Sequence, residues 1–403
     1  MHAAPWSPKP ADAKELPAFA RPYFDEAEYE GRMFAVRRAM ERDGLDGLLV
    51  ASPENIYYLV GLSHQGYFAV TVLLLLPQGP SLLVTRSMEL VTVATQAPDC
   101  EHVGFSDHER PVDGVARALR AAGLDRARLG VEKDTMYLPV NVWEGVRETF
   151  PAADWVDASG IVDELRMVKS PQELVYVRQA AAMSDRAVRA GIEEVGVGVN
   201  EREIAAEVYR SLVLGGSEYP GFVPLVRSLE ILLHEHETWR DRVLMPGDGV
   251  FMELSGCVRR YHAPLTRMVH VGHEPPGLAA AAETALNGLD AILGALRPGA
   301  LSGEVYAAWQ AAIDAGLGHG EYRRHHCGYG VGIGFPPSWV GGSSVMGIRP
   351  GSETEVREGM VFHVLSWLLG QEPGDYGVSD TAVVTAEGAE LLTSTKRTPT
   401  VVA

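Results

Sequence analysis

The chain of 403 residues is poor in cysteine, and Cys100, Cys257 and Cys327 are an odd number without paired spacing. That argues against a disulfide framework and suits a reducing compartment. A basic surplus is also missing: Lys and Arg total 35 against 53 Asp and Glu, for a net charge of −18. Nucleic-acid partners require a basic face for phosphate contacts, so none is expected, and the excess acid serves solubility. No apolar run is long enough to cross a bilayer; the longest, Phe68 to Pro77, reads as a buried strand. Met1 to Pro22 is rich in Pro and Ala and has no charged start ahead of an apolar core, so no signal peptide is read there. A cytoplasmic chain without a membrane partner is the expectation.

What is present is enough for a sizeable core: 46% of residues are hydrophobic and 22% charged. The length suits two domains. Met33, Val36 and Met40 recur at helical spacing between about Asp25 and Arg42, and Gly44 is placed to stop that helix. Asp46 to Ser52 reads as a strand, and Phe68–Leu76 with Ser81–Thr85 as a hairpin around Pro77–Pro80. Helical and strand patterns alternate up to about Ser159, which predicts an α/β domain with helices covering a sheet. Lys169-Ser-Pro-Gln-Glu173 then forms a capping box with Ser170 as N-cap, opening a long helix to about Glu194. The class is therefore α/β (α+β), with domains at 1–165 and 166–403. Ala206-Glu-Val-Tyr209 and Gly303-Glu-Val-Tyr306 each follow a long helix and a turn, a weak echo of two similar halves. A site between such halves is the default expectation.

Four clusters could carry chemistry: Leu233–Trp239, Val250–Ser255 with Arg259–Arg267, His325–Gly334, and Met360–Trp367. Glu253 is the sharpest signal, a carboxylate inside the apolar run Val250, Phe251, Met252 and Leu254. Buried there it costs several kcal/mol unless it has a partner or is protonated. The plain alternative is an ion pair with Arg259 or Arg260. His234 and His236 share a face if they lie on a strand, which makes a weak metal pair. His325 and His326 are adjacent and cannot both enter one site from a strand. Glycines at 328, 330, 332 and 334 alternate, suiting a strand that admits close approach. They form no phosphate loop, since no lysine follows.

In this order, after the capping box, the clusters resemble the creatinase–prolidase–methionine aminopeptidase superfamily. The likeness includes Asn55-Ile-Tyr-Tyr-Leu-Val-Gly61 of a creatinase-type N-terminal domain. It implies a pita-bread catalytic domain, whose internal pseudo-symmetry accounts for the echo. Peptidases of that superfamily hold two metals through two aspartates, a histidine and two glutamates. Here those positions fall on Glu253, Pro264, Tyr329, Leu365 and Ser379. Pro and Leu cannot ligate, so the resemblance implies neither metal nor other cofactor. His236 matches the superfamily's catalytic histidine, which in creatinase moves protons without a metal. The strings Phe251-Met-Glu-Leu-Ser-Gly256, Arg260-Tyr-His-Ala-Pro264, Cys327-Gly-Tyr329, Pro336-Pro-Ser-Trp339 and Gly359-Met-Val-Phe-His363 are most similar to the ectoine hydrolases within it. Gly61-Leu-Ser-His-Gln-Gly-Tyr67, which by likeness to creatinase borders the site of a neighbouring subunit, and Ser366–Gly374 depart from that pattern.

The resemblance implies a hydrolase of C–N bonds other than peptide bonds, acting on a small cyclic amidine or related amide, as a homodimer. Glu253 is expected as nucleophile or general base and His236 as proton carrier. Tyr261, His262, Tyr329 and His363 are expected to hold the substrate, with satisfied core histidines the plain alternative for His262 and His363. A creatinase-like amidinohydrolase is the nearest competing activity. A catalytically inactive binding protein is the competing reading of another class.

Overall fold

The structure is a computed structural model that describes residues 23–341, 346–372 and 374–403. The stretch read for a signal peptide, Met1 to Pro22, thus lies outside the described residues. The chain divides into two compact units, with the division between Arg166 and Met167.

In the first unit α1 (Glu26–Asp43) starts at Asp25, whose side chain accepts from the Glu28 amide, and ends at Gly44 with φ 66°. That left-handed cap is a conformation glycine adopts without a Cβ penalty. The remaining helices are α2 (Pro53–Val60), α3 (Leu90–Gln96), α4 (Pro111–Ala121), α5 (Val140–Thr149) and α6 (Ile161–Met167). A six-stranded sheet runs β4-β3-β2-β1-β5-β6. Its strands are β1 (Gly47–Val50), β2 (Val72–Leu75), β3 (Ser81–Arg86), β4 (Cys100–Phe105), β5 (Arg128–Val131) and β6 (Asp154–Asp157). The hairpin forms as β2 against β3, but Phe68 belongs to a short 3-10 turn, Gln65–Phe68, and is exposed. Leu49, Val72, Leu82, Val84 and Leu129 pack with Val115, Leu119 and Val146 of the covering helices.

The second unit opens with α7 (Pro171–Glu194), whose capping box is complete: Ser170 Oγ accepts from the Glu173 amide and Glu173 accepts from the Ser170 amide. It pairs with α8 (Glu201–Leu214), and α9 (Leu278–Ala295) pairs with α10 (Ser302–Leu317), so the echoed motifs sit on the second helix of each pair. Six strands lie in the order β10-β11-β12-β9-β8-β7. They are β7 (Leu225–Ser228), β8 (Gly249–Val258), β9 (Tyr261–Val271), β10 (Gly328–Gly330), β11 (Val361–Leu368) and β12 (Tyr376–Thr385). Two short strands, β13 (Gly388–Leu391) and β14 (Thr400–Val402), add to β12 and β9.

One sheet face is dry and packed. Met252, Leu254, Leu265 and Val269 meet Ala187, Val188, Ile204 and Val208 of α7 and α8. Phe362, Val364 and Leu368 meet Ala285, Leu289 and Ile313 of α9 and α10. Pleating sends alternate residues to the other face, and that is where the candidate chemistry collects. The β8–β9 hairpin turns through Arg259 and Arg260, both at positive φ, 48° and 64°. Such two-residue turns match strand twist but strain a non-glycine residue. Arg260 is anchored in compensation. Its guanidinium donates to the carbonyls of Gly334 and Tyr219 and lies over the rings of Tyr219 and Phe335.

Candidate active site

Glu253 sits mid-strand in β8, and the register builds a row around it. Leu225 pairs with Glu253, Glu253 with Thr266, Thr266 with Ser379, and Ser379 with Leu365. Paired residues share a face. Pro264 and His363 stand two residues along their strands from Thr266 and Leu365, and Tyr329 pairs with His363. Glu253, Pro264, Tyr329, Leu365 and Ser379 are therefore brought to the same face although up to 126 positions separate them (379 − 253). Behind the row, Arg267 donates to the Ser379 carbonyl and to Asp380, which Arg397 also binds. This buried network holds β12 against β9 where a single residue pair joins them.

Glu253 is 4% exposed and has no hydrogen-bond partner among the described residues. Burial lifts its pKa to about 7; the charges of Arg227 and Arg324 pull it down, and Glu235 pushes it up. Arg227 is itself fully buried, its guanidinium 4.1 Å over the Phe251 ring. The expected pairing with Arg260 does not form, because that side chain is committed to Gly334 and Tyr219.

His363 faces Glu253 with Nδ1 3.9 Å from Oε1. This is not an ion pair: burial keeps the imidazole neutral by lowering its pKa well below the ordinary value. Its Nε2 bonds Ser379 Oγ at 2.6 Å and its Nδ1 bonds Tyr329 Oη at 2.8 Å. Trp339 Nε1 donates to the same Tyr329 oxygen at 3.1 Å. Tyr329 stays protonated, raised by burial and by the charge of Glu253. Gly328 is required beside it, since a Cβ there would lie 2.8 Å from the His363 carbonyl. Likewise a Cβ on Gly334 would lie 2.6 Å from the Trp339 backbone, so the alternating glycines do permit close approach.

His236 is exposed and occupies a turn rather than a strand, so the shared strand face expected for His234 and His236 does not exist. Its ring stacks on Phe222 at 6.3 Å, Phe222 meets Trp339 edge-on at 4.8 Å, and Trp339 lies 6.5 Å from His363. An aromatic chain thus joins His236 to the Glu253 face, with no direct hydrogen bond between the two among the described residues.

Tyr261 and His262 are both engaged by partners within the protein. Tyr261 is an odd number of residues from Thr266, so it points to the opposite sheet face. There its hydroxyl donates to Glu173 at 2.7 Å and its ring stacks on Tyr176. His262 is fully buried with both ring nitrogens engaged: Nε2 accepts from the Gly221 amide, so Nδ1 carries the proton toward the Gly332 carbonyl. Burial depresses its pKa to about 3. Neither nitrogen remains for a ligand.

Sequence reasoning passed over Arg227, Arg324 and Phe222, and it named His326 only as one of an adjacent pair. His326 lies 5.5 Å from Tyr329, its Nδ1 buried and without a hydrogen-bond partner among the described residues. Arg227 offered a signal, a cation within the buried strand Leu-Val-Arg-Ser, of the same kind that marked Glu253. Phe222 and Arg324 lie in loop regions, where only folding shows what they approach.

Residues 175–386 match metallopeptidase family M24, and residues 32–168 match the creatinase/prolidase N-terminal domain. The chain belongs to family M24. Among curated M24 relatives, the ectoine hydrolase of Halomonas elongata is 29% identical, covering 92% of this chain and 96% of that protein. The Xaa-Pro dipeptidase of Pyrococcus horikoshii is 26% identical, covering 89% and 95%. Dipeptidase PepE from Mycobacterium ulcerans superposes with a TM-score of 0.78 at 26% identity, covering 94% and 99%. The prolidase from Thermococcus sibiricus has the same fold, with a TM-score of 0.81 at 23% identity, covering 93% and 99%. The fold is thus the pita-bread fold of the prolidases.

The dinuclear centre implied by M24 peptidases does not fit these donors. Pro264 and Leu365 offer none, Ser379 Oγ is taken by His363, and Tyr329 Oη receives Trp339 and contacts His363. Among the described residues no group of three or more His, Cys, Asp or Glu is arranged to hold a metal ion.

Proposed function

We propose that this M24 hydrolase opens a C–N bond in a small, non-peptide cyclic amidine or related amide, without a metal. The carrying observation is Glu253, a buried carboxylate with a pKa near 7 and no hydrogen-bond partner among the described residues, facing neutral His363 and protonated Tyr329. A carboxylate so poised is a competent base or nucleophile near neutral pH. Glu253 takes a proton from water as the water oxygen adds to the amidine carbon, or attacks that carbon itself to form an ester linkage that water hydrolyses after the ring has opened, freeing the carboxylate. The ring C–N bond then breaks, and His236 delivers a proton to the departing nitrogen. Tyr329 presents its phenolic oxygen to the substrate, positioned by Trp339 and by His363, whose two nitrogens are engaged by Tyr329 and Ser379, while His262 supports the Gly221 and Gly332 backbones. The likeness to an ectoine hydrolase supports ectoine itself as the first substrate to try.

The homodimer, with Gly61 to Tyr67 bordering a neighbour's site, belongs to the same proposal. So does a cytoplasmic location, supported by Cys100, Cys257 and Cys327 all being free thiols. The similarity to Xaa-Pro dipeptidases favours a peptidase as the second reading, but the donor set opposes it.

The deciding experiment is ectoine ring opening followed by mass, before and after chelation, with metal analysis of the same preparation. The expected outcome is one water added per ectoine and an unchanged rate after chelation. A stoichiometric dinuclear centre whose removal stops turnover would sink the metal-free mechanism.

A further inference from the structure

The face that carries Glu253 continues past Phe251 and Met268 to a second cavity. His270 pairs with Gly249 at the far end of β8 and β9, on the same face as Thr266 and Met268. It lines an open cavity of about 450 Å³ together with Glu230, Arg242, Asp248, Leu278 and Asp375. That volume suits a small molecule. Phe251, Met268 and Trp367, packed in one apolar cluster, lie between this cavity and the Glu253 row.

Three features of the lining lack partners. His270 is 3% exposed, yet its Nε2 has no hydrogen-bond partner among the described residues. A buried imidazole nitrogen left unmatched costs free energy that a polar ligand atom would recover. Arg242 bonds Glu230 at 2.6 Å and Asp248 at 2.8 Å through its terminal nitrogens, but its Nε is buried and unmatched. Helix α9 begins at the cavity wall with Gly277 as N-cap, no side-chain cap and no acidic residue in its first turn. The Leu278 amide donates to the Pro275 carbonyl, but without a side-chain cap this terminus of an 18-residue helix still carries a partial positive charge.

The wall also holds acid. Arg242 and Arg240, which lies 3.7 Å from Glu230, together offset Glu230 and Asp248, leaving Asp375, which accepts one backbone bond from Gly370, as uncompensated negative charge. A simple anion would meet that carboxylate, and a simple cation would meet the helix terminus and Arg242. A molecule carrying both charges satisfies both walls.

We propose that this cavity is a second binding site, distinct from the Glu253 site, for a compact zwitterion of the amino-acid class. Its carboxylate lies toward the α9 N-terminus and Arg242, its ammonium toward Asp375, and His270 bonds a polar atom between them.

The test titrates the full-length protein with L-alanine and 4-aminobutyrate, which differ in charge separation, while following the His270 imidazole resonance by NMR, assigned with His270→Gln. Saturable, single-site movement by at least one of them is expected. Acetate or methylammonium alone should require at least tenfold higher concentration. Asp375→Asn should weaken the zwitterion at least tenfold with an unchanged melting temperature, and Glu253→Gln should leave the titration unaltered. A silent His270 resonance, equal binding of the half-ligands, or loss of binding in Glu253→Gln but not in Asp375→Asn overturns the proposal.

Discussion

Glu253 titrates at about 7 in the fold against 4.5 for an ordinary glutamate. Between those values the native chain holds a proton the unfolded chain has released, so stability falls as pH rises through that window. The same value predicts activity rising with pH on an acidic limb centred near 7, since only the carboxylate can act. Glu253→Gln should abolish turnover and flatten the stability slope, both read from pH–rate profiles and pH-dependent melting. His236 differs because it is exposed: His236→Ala should lower kcat by ~10²–10⁴ yet shift stability by no more than about 0.5 kcal/mol. His262 carries the opposite linkage sign to Glu253. Its folded pKa of about 3 lies below the ordinary 6.5, so its contribution is full above 6.5 and is lost as pH falls toward 3. His262→Ala should cost roughly 3 kcal/mol or more in denaturant melts, because it opens a cavity and orphans the Gly221 amide and Gly332 carbonyl.

At the scale of elements, β9 has two jobs that its alternation keeps apart. Thr266, Pro264 and His262 face the site side, while Tyr261 ties the strand to the capping box of α7 through Glu173. Tyr261→Phe should therefore cost about 1.5–3 kcal/mol of stability, the range for a hydrogen bond to a charged group, and leave KM unchanged. A raised KM with unaltered stability would return Tyr261 to the substrate. The α7 start was legible because Ser170, Pro171 and Glu173 interact within one turn. The place of Tyr261 was not, because the string Tyr-His-Ala-Pro does not say which residue of an alternating strand faces the ligand until the register to β8 is known. His236 shows the same limit: strand spacing suggested a shared face, yet Ile231 to Glu237 closes as turns.

Across the whole molecule, two units with separate cores were readable from the shift in pattern near Ser159 and the helix signal at Ser170. The order of motifs was sufficient for the family, because hydrophobic periodicity, caps and short strings are local properties carried by neighbours in the chain. The sequence also determined what Pro264 and Leu365 cannot do, since their side chains hold no donor in any fold. Only the tertiary structure decided that Glu253 meets His363 and Tyr329 while Arg260 turns away, that Arg227 and Arg324 set its charge environment, and that His270 faces a second cavity. Those outcomes depend on pairing strands more than a hundred residues apart and on how deeply each group is removed from water, and neither quantity is a property of adjacent residues.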